Sequence, residues 1–445
     1  MENLGMCISF VLLCLDNFAA MKNCFLLLAI SLICLVAKAQ PDVSHIELSD
    51  KVYVSGIKSA TILPAGKIHG EPVARLGGGR GQLTLTFDDL ESEDRYLKYT
   101  FVHCTHDWQL SDMSQIEYLN GFWEDEFTDY TYSFNTITRY IRHTLDFPTA
   151  NMSFSRSGNY ILFVYDETPD RPVLTKRFMV TESEPVAIAD SVHAASDVNY
   201  RFTRQEVDFT VYAGSLGIRN PAATVHATIK QNGRWDNAIV GLTYRSGYAG
   251  ELNFDYDDGR NTMDGGAEFR TFDISTLRSN ADRIVGITFV NQENQAYVMQ
   301  DEARPYGAYE SRSTMNGDCY YRNRDMTNEC SEDYVNTHFT LSSTFPFDNG
   351  DVYVFGKITD WSILPEAKLK YNEKRRFWET AFLIKQGMYN YQYVYVPHGS
   401  RTVDATFIEG SHYETHNNYT IMVYYREEGS SYDKLIGLKT LQMGE

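Results

Sequence analysis

The chain has 445 residues, a formal net charge of -19 and 14% aromatic residues, with 31 Tyr and 25 Phe among them. That length allows roughly two to four domains, each with a core of its own. The acidic balance repels phosphate backbones and argues against nucleic-acid binding, while the wealth of Tyr, Phe, Val and Thr leans towards strands.

Taken in order, the chain opens on an export signal. Met21-Lys22 is a short basic start, Phe25 to Val36 an apolar run, and Ala37-Lys38-Ala39 a small-x-small cleavage pattern before Gln40. The run is shorter than the roughly 20 residues of a spanning helix. Met21 begins a complete signal by itself, so residues 1–20 read as an over-extended gene start. Cys34 after Leu32-Ile33 is a poor fit to a lipoprotein site. Removing residues 1–39 leaves the charge at -19, because Lys22 and Lys38 balance Glu2 and Asp16. No later stretch is apolar enough to cross a bilayer, and the exported chain is expected to be periplasmic and without a membrane insertion of its own.

From Lys51 to Val180 strands alternate with turns: SATILPAG (59–66), QLTLTFDDL (82–90), YTFVHC (99–104), NYILFVYDE (159–167) and PVLTKRFMV (172–180). Between them lies an aromatic and acidic stretch, 117–134, with Tyr118, Phe122, Trp123, Phe127, Tyr130, Tyr132 and Phe134 crossed by Glu124, Asp125, Glu126 and Asp129. It reads as a loop that orders itself and meets another surface. TESEP (181–185) is a plausible linker. QEVDFTVYAG (205–214) and ATVHATIKQNGRWDN (223–237) begin a second β unit, with Asn232-Gly233 as a hairpin-type turn. DVYVFG (351–356), FWETAFLI (377–384), GMYNYQYVYV (387–396) and YTIMVYYRE (419–427) form a third. The expected architecture is all-β: three consecutive β-sandwich domains of immunoglobulin-like or E-set-like type, at 40–184, 185–315 and 316–445, after a signal peptide at 1–39.

Sites for chemistry are sparse. Cys319 and Cys330 flank a polar segment and are candidates for a disulfide in an oxidising compartment, leaving Cys104 on its strand. His103, Cys104, His106 and Asp107 are metal-ligand types, but adjacent strand residues face apart. Asn253, Asp255, Asp257 and Asp264 occupy positions 1, 3, 5 and 12 of a calcium-type loop, with Asp258 where the required Gly should stand and no helical flanks; the stretch reads as a solvated acidic turn. Gly77-Gly78-Gly79-Arg80-Gly81 has no following helix to hold a phosphate. There is no G-x-S-x-G elbow, and Asp88-Asp89 are strand neighbours rather than opposed acids. The expectation is therefore no enzyme, no catalytic residues, no cofactor and no small-molecule substrate.

HCTHDW (103–108), EYLNGFWEDEFTDYTYSFNT (117–136), LTFDDL (85–90), SGNYILFVY (157–165), RQEVDFTV (204–211), QNGRWDNAI (231–239), DVYVFGKITDW (351–361) and EGSHYETHNNYTIMVYYR (409–426) together resemble one family. It is the plug protein of the type IX secretion system of Bacteroidetes-type bacteria, and the resemblance covers nearly all of the chain after the signal. It implies a non-enzymatic role: a periplasmic protein that associates with the giant outer-membrane translocon barrel and closes its periplasmic end when no cargo shuttle is attached. Tyr118, Phe122 and Trp123 are the candidate anchors for that partner, since large amphipathic rings dominate interface energetics; the competing reading packs them inside the first sandwich. The third unit also resembles glycogen-binding modules through Val352, Phe355, Gly356, Asp360, Trp361, Gly387, Tyr389 and Tyr391. On that alternative the chain is an exported glycan-binding accessory protein, with Trp361 and Tyr391 as sugar-stacking residues.

Overall fold

The computed structural model describes residues 43–443, apart from 78–80, 92–94, 249 and 344–346. The expected signal peptide and the middle of the glycine run lie outside the described residues. Strands dominate, and the α-helices among the described residues are single turns, Gln115–Tyr118, Pro221–Thr224 and Thr406–Glu409. No helix among the described residues is long and apolar enough to cross a membrane. The all-β sandwich class expected from composition and alternation is what the chain adopts.

The first core lies between two sheets. One runs in the order Ile57–Pro64, Leu83–Asp89, Ile141–Phe147, Asp129–Tyr132; the spine of the other is Pro172–Thr181, Gly158–Asp166, Leu97–Cys104. Alternation explains the first sheet. Leu83, Leu85 and Phe87 are fully buried, while the intervening Thr86 turns outward and meets Thr61 across the strand pair at 3.1 Å. Every residue of Gly158–Asp166 is buried instead. Tyr160, Leu162 and Val164 point into the first core, and on the other face Asn159 Oδ1 accepts a 2.8 Å bond from the Tyr424 hydroxyl near the C-terminus. A strand covered on both faces has no reason to alternate in polarity.

Two further cores follow, and they do not respect the boundaries expected at 185–315 and 316–445. Val207, Phe209, Val211, Val225, Ala227 and Ile229 share a core with Tyr419, Ile421, Val423, Ile436 and Leu441. The C-terminal hairpin, Asn418–Tyr425 with Lys434–Gln442, joins the middle sheet by pairing Val225 to Gln231 against Tyr425 to Tyr419. Conversely Phe272, Ile274, Ile284, Ala296 and Val298 pack in the third core with Val352, Val354, Tyr389, Tyr391 and Tyr393. The strand Gly387–Pro397 organises that core by pairing with Arg270–Asp273, Cys319–Tyr321 and Gly350–Phe355. Periodicity identifies a strand but carries no information about which distant strand completes its sheet. The middle sandwich is thus closed by the C-terminal hairpin, and the described residues from Ile46 onward form one compact unit.

A buried imidazole gives the fold a pH dependence. His103 sits between the rings of Tyr118 and Tyr160, with Nε2 bonded to the Ser157 carbonyl at 3.1 Å. Burial penalises its cation and pulls its pKa from 6.5 to about 4, the Ser157 bond opposing in part. The unfolded chain takes up this proton between those values and the folded chain does not. This contribution is therefore complete above pH 6.5 and is lost as pH falls towards 4, to the extent of about 3 kcal/mol. Urea unfolding followed across that window should show stability falling with pH, and His103→Gln should flatten the profile. Equal slopes for the two proteins would contradict the assignment.

Candidate functional site

The stretch 117–134 is ordered by its own acids. Glu117 accepts both the backbone N–H and the hydroxyl of Ser114 at 2.7 Å, boxing the start of the Gln115–Tyr118 turn. Glu124 takes the Lys98 ammonium at 3.1 Å and the Tyr165 hydroxyl at 2.6 Å. Asp125 takes Asn151 Nδ2 at 3.0 Å, and Glu126 takes the Tyr96 hydroxyl. Gly121 has φ +98°, and a Cβ there would lie 2.0 Å from the Asn151 carbonyl oxygen, so only glycine lets the strand Leu119–Gly121 close against Met152–Phe154.

This framework separates the three candidate anchors. Tyr118 is 5% exposed and its hydroxyl donates to the Phe101 carbonyl at 3.2 Å, so it belongs to the first core and is corrected from anchor to core residue. Burying a ring of that size contributes on the order of 2–3 kcal/mol, which leaves no reason for it to turn outward. Trp123 is half-buried, its carbonyl held by Thr100 Oγ1 at 2.6 Å and Gln115 Nε2 at 2.9 Å. Phe122 is 59% exposed. Tyr130, Tyr132 and Phe134 are exposed as well. Tyr130 and Tyr132 lie two residues apart on the edge strand Asp129–Tyr132, with rings in an edge contact at 5.8 Å. Sequence spacing gave these two tyrosines no priority over Tyr118; the edge position of their strand is what exposes them.

The sugar-stacking pair does not form. Tyr391 is fully buried and its hydroxyl donates to Asp301 at 2.6 Å. Trp361 is half-buried, with ring centroids 5.4 Å from Phe355 and 6.0 Å from Phe269 and the Arg234 guanidinium 5.2 Å from its own centroid. The reason is close packing: Gly317, at φ +85°, lets the indole approach so near that a Cβ would stand 2.3 Å from it. The expected disulfide is likewise corrected. Cys104, Cys319 and Cys330 are all buried free thiols. Cys319 lies in the third core beside Tyr389, while Cys330 packs with Tyr140 and Tyr334 where the first and third units meet. Burial pushes the Cys319 thiol up to about 12, which leaves little thiolate to react.

Of the metal-ligand types at 103–107, His103 is inside the first core, whereas His106 reaches the middle unit. Its ring stacks on His226 at 4.2 Å and 7°, and its Nδ1 and backbone N–H both meet Asp433 Oδ2, at 3.1 and 2.9 Å. Arg426 grips the same carboxylate through Nε and Nη2 at 2.8 and 2.9 Å. Although burial works against the charge, His106 and Arg426 hold the Asp433 carboxyl far below the usual range. A cleft of about 330 Å³ opens here, lined also by Thr105, Asp107, Gln109 and Ala223. With both Asp433 oxygens occupied, the arrangement clamps two β units together. The calcium-type loop does not assemble either. Asn253 Oδ1 accepts the Asp255 N–H at 3.0 Å, Asp257 pairs with Arg245, and Asp264 pairs with Arg204 at 2.9 Å.

Residues 57–182 match the family described as type 9 secretion system plug protein 1st domain. The chain is also similar to the crystal structure of a hypothetical protein from Parabacteroides merdae ATCC 43184. The two share 32% identity with a TM-score of 0.84, over 89% of this chain and 100% of that one. The C-terminal domain of the Streptococcus pyogenes antigen I/II-family protein AspA aligns over 86% of this chain and 98% of that one. Its 8% identity and TM-score of 0.15 carry no argument. No curated protein matches the chain.

Proposed function

This chain belongs to the type 9 secretion system plug protein family, and from that membership we propose that it is a periplasmic stopper for the secretion channel. A role in type 9 secretion follows from the family. The finer reading is that the folded body docks on the periplasmic end of the outer-membrane translocon barrel and blocks it sterically while no cargo shuttle is bound, without catalysis.

The family match carries this reading, and the construction of the body supports it. A stopper must resist deformation, since flexible parts lose entropy on docking. Here the β units are fused by contacts between residues far apart in sequence. Trp108 meets Trp235 edge-on at 5.0 Å with the Arg177 guanidinium over both rings. Glu71 takes both Lys230 and the Thr420 hydroxyl. Asp333 accepts the N–H groups of Ile137 and Thr138 at 2.8 and 2.9 Å. Exposed Phe122 remains the anchor on which the contact proposal rests, with Tyr130 and Tyr132 as further exposed rings.

The test is a tagged pull-down from detergent-solubilised outer membranes, with and without the shuttle. A very large barrel should come down only when the shuttle is absent, and its absence from both samples would sink the reading. Phe122→Asp should fold normally because the ring is exposed, yet recover about tenfold less barrel if it is a central anchor. Undiminished recovery would remove Phe122 from the contact.

A further inference from the structure

The first sheet ends on the strand Asp129–Tyr132, which pairs on one side with Ile141–Phe147 and on the other with no strand among the described residues. Its register sets Tyr130 opposite His143 and Thr131 opposite Arg142. Along an antiparallel strand, residues that exchange backbone bonds with the neighbour alternate with residues whose N–H and C=O point away from it. Just past the strand the Ser133 N–H bonds the Tyr140 carbonyl at 2.9 Å, which puts the odd-numbered residues on the inner side. Tyr130 and Tyr132 therefore turn their backbone donors and acceptors to the open edge. At Phe134 that same side is already used, since its N–H meets the Cys330 carbonyl at 2.9 Å. The chain covers its own edge at Phe134 and leaves Tyr130 and Tyr132 open.

The side chains suit an incoming strand. An edge guarded against pairing carries Lys, Pro or a bulge, whereas Tyr130, Thr131 and Tyr132 are strand formers. Tyr130 shares the face of His143 and Phe87, its ring 6.3 Å from the imidazole. It and Tyr132 thus extend the core face past its last strand, 54% and 62% exposed. Charge narrows the partner. The stretch 117–134 holds Glu117, Glu124, Asp125, Glu126 and Asp129 but no Lys or Arg. Lys98 neutralises Glu124, while the uncharged donors Asn151 and Tyr96 leave Asp125 and Glu126 anionic. Asp129 is exposed, with no side-chain bond or ion pair among the described residues. Arg142, beside Thr131, is held by Asp88 and Glu332. Exposed Arg139, in the turn to Ile141–Phe147, offsets at most one of the three free acids.

We propose that the edge at Tyr130 and Tyr132 takes up an extended segment of the channel partner as one more strand, and that this segment alternates Lys or Arg with apolar residues. The proposal rests on the stopper reading and adds to it a docking mode and the chemistry of the partner. Backbone bonds to Tyr130 and Tyr132 supply the register, and alternate side chains supply the selection. The apolar side chains of the added strand lie against the two tyrosine rings, which face one way. Its cations face the other way, on the side of Asp129. A second copy of this chain is the poorer occupant, because the pairing would bring two acidic stretches together.

The experiment uses the full chain in the pull-down from detergent-solubilised outer membranes without the shuttle. A parallel sample carries the photocrosslinker p-benzoylphenylalanine in place of Tyr132. Tyr132→Ala removes the ring and keeps the outward N–H. Tyr132→Pro removes the N–H as well, and proline is tolerated on an edge strand where that group faces solvent. Thermal unfolding checks that both variants fold; should Tyr132→Pro fail to, the crosslink decides. Barrel recovery should fall by about threefold for Tyr132→Ala and by about tenfold or more for Tyr132→Pro. Asp129→Lys should lower it by about fivefold. The crosslink should map to a barrel segment in which Lys or Arg alternates with apolar residues. Equal recovery by the folded Tyr132→Pro and Tyr132→Ala chains would overturn strand addition and leave the stopper reading standing. A crosslink to an acidic segment would overturn the partner chemistry, and one to a second copy of this chain would overturn the proposal in favour of self-association. No barrel with the wild-type chain is the failure of the stopper reading itself, and the proposal falls with it.

Discussion

Replacing Asp88 by alanine is expected to destabilise the protein by about 3–5 kcal/mol, among the largest effects of any single substitution here. Asp88 is the penultimate residue of the strand Leu83–Asp89 in the first unit, and its side chain is 2% exposed. It receives the Lys385 ammonium from the third unit, Arg142 Nε at 3.2 Å and the Tyr334 hydroxyl at 2.9 Å. Lys385 is itself 1% exposed and lies 4.2 Å from the centroid of the Tyr140 ring. Without Asp88 the buried Lys385 ammonium loses its carboxylate, while the partly exposed Arg142 keeps Glu332 at 3.3 Å. Burial already lowers the Lys385 pKa against the pull of Asp88. Lys385→Met leaves Asp88 paired with Arg142 and should cost less than half as much. Urea unfolding measures both. A change below about 1 kcal/mol for Asp88→Ala would mean that the network does not hold the first and third units together.

Asp301→Ala should cost a similar amount, about 3–5 kcal/mol, but inside the third core. Asp301 is 2% exposed. One of its oxygens accepts Arg270 Nη1 at 2.7 Å and Arg283 Nη2 at 2.6 Å; the other accepts the hydroxyls of Tyr391 and Tyr393 at 2.6 and 2.9 Å. Arg270 is held at its other edge by Glu409, which also takes Arg304 Nε at 2.7 Å and the Tyr393 N–H at 2.9 Å. Burial disfavours the Arg270 cation, yet Glu409 and Asp301 outweigh it and raise its pKa. Removing Asp301 strands a guanidinium edge and two hydroxyls together, whereas Tyr391→Phe removes one donor and keeps the carboxylate satisfied. The single hydroxyl should therefore cost only about 1 kcal/mol. Thermal unfolding of the two variants should separate by a wide margin. If Asp301→Ala unfolds like Tyr391→Phe, the four-donor network is not what stabilises this core.

These two networks show why the candidate sites were only partly legible. Asp88 appears in sequence as half of an Asp-Asp pair at a strand end, and Tyr391 as one ring of a GMYNYQYVYV strand. Neither local pattern contains the partner that gives the residue its role. Phe122 and Tyr118 stand four apart in one aromatic run. Their opposite fates depend on Gln115–Tyr118 turning inward and on Gly121 lying against Asn151.

By itself, the sequence determined the strands, because alternation and turn residues act over a few positions, and the family, because ordered motifs survive in the text. Tertiary structure alone decided that the C-terminal hairpin completes the middle sandwich, that Cys319 and Cys330 stay apart as buried thiols, and that Trp361 packs against Phe355 and Phe269. The physical reason is common to all three. A strand's own residues fix its conformation and its two faces, but its neighbour across the sheet is chosen by the shape and burial of the whole body.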